Sequence, residues 1–274
     1  MSVSTWFLLV LAGVGGGLTG SIAGLASLVS YPALLAAGLP ATTANVTNTV
    51  ALVFSGVGTA LGSRPELRGQ GRLVRQLLYS AVPGGIVGSI LLLLTPSELL
   101  ERVVPILIAA AALGVLIRTT PAASATSADS ALGDIPADEI PHTAADVSPN
   151  PPKVDPSRAF RIGTFFVGIY AGYFGAAAGV MLLALVLGFT GLSLARSSAV
   201  RTMVLTAANV VAAVYFALFG PVDWAHCLPL AIGCLIGGRI GPMVIRHAPA
   251  GPLRILIALA GLGLAVKLGL DAFL

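Results

Sequence analysis

The chain has 274 residues, 56% of them hydrophobic and only 9% charged, with a mean hydropathy of +0.95 and a formal net charge of +4. So apolar a composition excludes a soluble globular domain, whose surface has to be largely polar or charged. The basic excess is scattered and lacks an aromatic platform, which excludes a nucleic-acid face. Cys227 and Cys234 are too far apart along one expected helix to bridge without distortion, and read as packing residues.

Uncharged windows of about 18 residues or more approach the length needed to cross a hydrocarbon core roughly 30 Å thick. The expected class is therefore all-α, a polytopic helical protein whose solvent is the lipid bilayer. No Lys or Arg precedes the first apolar run and no clear cleavage site follows it, so this segment is expected to be retained rather than removed as a signal peptide.

In chain order the apolar segments fall at about 5–37, 46–62, 77–95, 103–117, 160–190, 202–219, 226–245 and 252–270. Between the fourth and fifth, residues 118–158 are rich in Ala, Pro, Ser, Thr and Asp and bury too little apolar surface to fold alone. They are expected to form a disordered cytoplasmic linker between a first transmembrane repeat, 1–117, and a second, 159–274.

The repeat is legible in matched stretches. Gly38-Leu39-Pro40 through Asn45-Val46-Thr47-Asn48-Thr49 recurs in altered form as Gly191-Leu192-Ser193 through Ser198-Ala199-Val200-Arg201-Thr202, and Gly84 to Ser89 pairs with Gly233 to Gly238. Gly20 pairs with Gly172, Ala23 with Gly175 and Ser27 with Gly179. Repeats of this kind place a transporter's substrate at their interface.

Segments 5–37 and 160–190 exceed the roughly 20 residues of a single crossing. Each is either one long tilted helix or a pair of half-helices folded back as a re-entrant hairpin. Two hairpins invert the second half relative to the first and leave only Arg102 and Lys267 of the basic residues on the outer side. The excess of Lys and Arg in cytoplasmic loops favours that inverted arrangement, with both termini outside.

The acids all lie in expected loops, the linker or helix ends. A cation path or carboxylate proton relay places Asp or Glu within the membrane, so the pattern disfavours both. Arg196 and Arg201 flank or enter apolar runs, and the planar guanidinium suits oxyanion binding; interfacial snorkelling is the alternative. Asn45, Thr47, Asn48 and Thr49 in one half, with Ser197, Ser198 and Thr202 in the other, are placed to cap the following helices while offering amide and hydroxyl donors. These nine residues are the candidate substrate-binding set. No metal, cofactor or catalytic constellation emerges from the spacing of His, Cys, Asp and Glu.

Taken together, the Gly-rich first segment ending in Tyr31-Pro32-Ala33-Leu34-Leu35, then Gly38-Leu39-Pro40, Ala44-Asn45-Val46-Thr47-Asn48, the basic loop Arg64 to Arg75, the Gly84 to Ser89 run and the duplicated second half resemble the sulfite exporter TauE/SafE family of membrane permeases. The resemblance covers essentially the whole chain outside the linker. It departs where the glycine cluster is thinned to Gly24-Leu25-Ala26-Ser27, and where Ala199-Val200-Arg201-Thr202 replaces a small-residue, Thr-Ser type motif. It implies export of a small anionic substrate, sulfite or an organosulfonate such as sulfoacetate, across a bacterial inner or plasma membrane. A donor-only site would suit a fully ionised oxyanion. A permease for other organic anions or cations, and a membrane-embedded enzyme, are the rival readings.

Overall fold

The structure is a computed structural model describing residues 2–96, 98–99, 103, 106, 108–109, 157–176 and 178–247. The expected segment 252–270, most of 103–117 and linker residues 118–156 lie outside the described residues. Among these the chain is all-helical: α1 Val3–Ala23, α2 Ser27–Ala36, α3 Ala41–Gly62, α4 Arg64–Leu67, α5 Gly71–Leu94, α6 Arg158–Tyr173, α7 Ala178–Thr190, α8 Leu194–Phe219 and α9 Trp224–His247. Helices α1, α3, α5, α8 and α9 are long and apolar enough to cross a membrane. The chain is a multi-pass membrane protein.

Both overlong segments break and fold back. Gly24 closes α1 at φ 75° and Gly175 follows α6 at φ 73°. This left-handed backbone suits glycine because it carries no Cβ to meet the following carbonyl. Helix α2 then runs antiparallel to α1, so that a Cβ added at Gly20 would lie 2.8 Å from that of Ala26 and one at Gly16 would lie 3.2 Å from that of Ser30. Helix α7 returns along α6, with Leu185 over Gly163 and the Phe160 and Phe189 rings stacked at 5.1 Å.

Glycines set the helix directions by admitting neighbouring backbone. Gly13 faces Leu230 and Cys234, Gly17 faces Cys234 and Gly238, and Gly241 faces Ser21, so α1 and α9 run parallel. Gly84 and Gly88 meet Phe165 to Tyr173 in rising order, so α5 and α6 also run parallel. Gly56 meets Thr206 whereas Gly220 meets Val46, so α3 and α8 cross antiparallel. The long arm of each hairpin thus packs on the last described helix of the other half. This arrangement gathers Arg64, Arg68, Arg72, Arg75, Arg158, Arg161, Arg196 and Arg239 toward one end of the bundle, and Asp223 toward the other.

Two expectations change. The helices after the hairpins begin earlier than the apolar runs: α3 starts at Ala41 after Pro40, and α8 starts at Leu194 after Ser193, whose Oγ accepts from the Arg196 amide. The polar clusters 45–49 and 197–202 are therefore helix interior rather than caps. All but the half-buried Thr202 are buried between helices, where lipid hydropathy does not apply, so the apolar window misses them. Cys227 and Cys234 are free thiols buried in the core.

Candidate functional site

The two hairpin tips meet in the middle of the molecule. A Cβ added to Gly24 would lie 2.8 Å from Gly179 Cα and would collide with Nη1 of Arg201. Glycine at both positions lets the two backbones and the guanidinium occupy one place. Arg201 is 1% exposed, and its Nη2 donates to the carbonyls of Gly20 at 3.1 Å and Ser21 at 2.7 Å. Those carbonyls end α1, where a helix carries partial negative charge.

A cavity of about 80 Å³ opens beside this junction. A single water needs about 10–15 Å³ on the same measure, so the space takes a few waters or one compact ion. It is lined by Gly20, Gly24, Ala26 and Ser27 from the first hairpin, Ala171, Phe174, Gly175, Ala178 and Gly179 from the second, Thr49, Leu52, Ser55, Gly56 and Thr59 from α3, and Arg201, Thr202, Leu205, Thr206 and Asn209 from α8. Arg201 is the only charged residue among them. The first turns of α2 and α7 both abut the cavity. The Leu28, Val29 and Ser30 amides donate to the Leu25 and Ala26 carbonyls and the Ala178 amide to Gly175, so the two helix ends bring partial positive charge to the cavity through their dipoles rather than through free donors.

Of the residues singled out from sequence, Thr49, Arg201 and Thr202 line the cavity. Asn48 is buried behind it: Oδ1 accepts from Ser30 Oγ at 2.6 Å and Nδ2 donates to Ser27 Oγ at 3.3 Å. Asn45 Nδ2 reaches the Tyr173 carbonyl at the end of α6 at 2.9 Å, while Ser198 Oγ lies 3.4 Å from the Ser21 carbonyl at the end of α1. Ser197 Oγ donates to the Leu192 carbonyl, and Thr47 Oγ1 accepts from the Asp223 amide at 3.0 Å. Arg196 is half-buried at the start of α8, away from the lining.

Polar lining residues outside the nine-residue candidate set are Ser27, which the sequence marks only as a repeat position, and Ser55, Thr59, Thr206 and Asn209. Their signal was there: Thr202, Thr206 and Asn209 fall on one helix face at i, i+4 and i+7, as do Thr49, Gly56 and Thr59 at near-heptad spacing. The structure also alters the chemistry assigned to the threonines. Thr49, Thr202 and Thr206 donate to the carbonyls of Asn45, Ser198 and Thr202 at 3.0, 2.9 and 2.7 Å, each one turn back in its own helix. Those protons are committed, so the hydroxyls offer the cavity lone pairs.

At the far end of the bundle, Asp223 caps α9, accepting from the His226 amide at 3.1 Å, and its other oxygen lies 2.9 Å from His226 Nδ1. Partial burial pushes its carboxyl up, but the His226 bonds outweigh this and hold it below the ordinary carboxylate value. Among the described residues no group of His, Cys, Asp and Glu is arranged to hold a metal.

The sequence profile described as Sulfite exporter TauE/SafE matches residues 9–268. The chain is similar to a protein named "Probable membrane transporter protein ORF9" from Sinorhizobium sp, 27% identical over 268 residues, which cover 97% of this chain and 92% of that one. It is also similar to "Probable membrane transporter protein YfcA" from Escherichia coli strain K12, 27% identical over 106 residues, 39% of each chain. No solved structure matches the chain.

Proposed function

The chain belongs to the sulfite exporter TauE/SafE family and is a membrane transporter, and from that premise we propose that it exports a small sulfur-containing oxyanion, such as sulfite or an organosulfonate, through the cavity at the hairpin tips. The observation that carries this reading is the buried charge of Arg201 on the cavity wall, where the first turns of α2 and α7 converge. A fixed cation and two helix N-termini in a low-dielectric interior favour an anion strongly. The absence of a carboxylate from the lining disfavours cation transport by the same reasoning.

We further propose that the halves are inverted repeats and that the basic end of the bundle faces the cytoplasm of a bacterial inner membrane. The opposite directions of α3 and α8, and the crossed pairing of α1 with α9 and α5 with α6, support the first; the gathered arginines support the second. Inversion gives a two-sided cavity whose gates exchange by rocking one half against the other.

The test is flux of labelled sulfite in proteoliposomes, with thermal-shift screening of sulfite, sulfate, taurine, sulfoacetate and carboxylates. Saturable sulfite flux and a selective shift by sulfur oxyanions are expected. A selective carboxylate shift with no sulfite flux would move the substrate class, and saturable cation uptake would overturn the reading.

A further inference from the structure

The cavity lining holds two kinds of polar group. One is positive or donating: the charge of Arg201, the first turns of α2 and α7, and Ser27, whose Oγ accepts from Asn48 and whose own proton has no acceptor among the described residues. The other accepts: Thr49, Thr202 and Thr206, each with its proton donated to a carbonyl one turn back. Asn209 adds an amide with no protein partner among the described residues, able to donate and accept. A fully ionised oxyanion set against the threonine hydroxyls brings oxygen lone pairs to oxygen lone pairs. An oxyanion that keeps one O–H donates to a threonine oxygen while its ionised oxygens meet the positive groups.

We infer that the cavity selects the hydrogen-bearing monoanion of its oxyanion over the dianion. This rests on the anion-site reading above and specifies the form of the ligand that the site takes. Of the lining residues only Arg201 carries a charge, and no His, Asp, Glu, Cys, Lys or Tyr joins it. Arginine stays protonated at every workable pH. Any pH dependence of binding near neutrality therefore comes from the ligand.

Calorimetry on the purified full-length chain tests this with sulfite and with selenite, whose monoanion carries its hydrogen on oxygen, titrated at pH values below and above the second ionisation of each. Methanesulfonate, a monoanion without O–H, and sulfate, a dianion throughout, serve as references. Affinity for total sulfite and selenite should fall about tenfold for each pH unit above that ionisation, while the references bind more weakly and show no trend. Thr206→Val, which keeps the shape and removes the acceptor, should weaken selenite binding below its ionisation several-fold and leave methanesulfonate binding unchanged.

His226→Gln, which alters the titrating pair at the end of α9, should leave the slope intact. Affinity that stays flat or rises with pH overturns the inference and leaves the anion site standing, as does a slope that disappears in His226→Gln. If neither sulfite, selenite nor methanesulfonate binds at any pH, the anion-site reading falls and this inference with it.

Discussion

At the end of α1 the last carbonyls are held by a charge, with Arg201 Nη2 on Gly20 and Ser21 and Ser198 Oγ beside it. At the end of α6 the Tyr173 carbonyl is held by a neutral amide, Asn45 Nδ2. Asn45 and Ser198 occupy the same position in the two matched stretches, as do Asn48 and Arg201. Each half therefore uses the helix after its hairpin to grip the opposite hairpin, and only one grip is charged. Asn48 turns to Ser27 and Ser30 of its own hairpin instead. The contrast teaches that one copy of the motif is committed to holding the scaffold while the other puts a cation at the cavity.

The largest effect is expected at the hairpin tips. Gly24→Ala places a Cβ into Nη1 of Arg201 and 2.8 Å from Gly179 Cα, on top of the roughly 1–2 kcal/mol that left-handed backbone costs a residue with a side chain. Overpacking against backbone that cannot yield adds about 1–3 kcal/mol. At Gly175 the added Cβ meets only the Ala171 carbonyl of its own helix, at 3.0 Å. Gly24→Ala is thus expected to lower the unfolding midpoint in detergent well beyond Gly175→Ala. Equal losses would mean that the two tips are equally packed and that Arg201 does not wedge the first.

The next effect concerns the twin side chains. Arg201→Ala should weaken anion binding by roughly 1.5–3 kcal/mol, the worth of a charge-assisted bond, with Arg201→Lys retaining part of it because charge survives and the planar fork does not. Asn48→Ala removes the donor to Ser27 and one of the two acceptors of Ser30, which keeps the Ala26 carbonyl, and should cost about 1–3 kcal/mol of stability instead, with a smaller loss of affinity. Calorimetry and unfolding measured on the same preparations separate the two. Unchanged affinity in Arg201→Gln would remove Arg201 from the site.

How far the sequence could have led to this point varies by residue. The membrane class and the overlong segments follow from hydropathy and helix rise alone. The breaks at Gly24 and Gly175 were visible only as glycines among many, because a positive φ is set by how two hairpins meet. Arg201 stood out as a charge in an apolar run, yet its bonds go to Gly20 and Ser21, some 180 residues away. Thr206 and Asn209 share a face with Thr202 at helical spacing and were hidden by treating 202–219 as uniformly apolar. The helix starts at Ala41 and Leu194 were missed because polar residues facing protein read as loop on a scale made for lipid.

The smallest effect lies at the end of the bundle away from the arginines, and it sharpens the contrast between a charge that never titrates and one that does. Asp223 keeps its carboxyl below the ordinary value because the His226 side chain and backbone bond to it more strongly than partial burial opposes it. Its folded value is lower than its unfolded one, near 4. The stability it contributes is therefore complete above the unfolded value and is lost as pH falls through the folded one. The side chains are 32% and 15% exposed, so water screens the pair, and well under about 1 kcal/mol is expected. Asp223→Asn should unfold slightly earlier than wild type at neutral pH, with the gap closing in acid. His226→Gln should reproduce part of that gap, since the His226 amide still reaches Asp223 Oδ1 when the ring is gone. A gap that persists unchanged in acid would assign Asp223 to packing at the α8–α9 turn, where its amide donates to Thr47, and would leave the protein's charge chemistry concentrated at the arginine end.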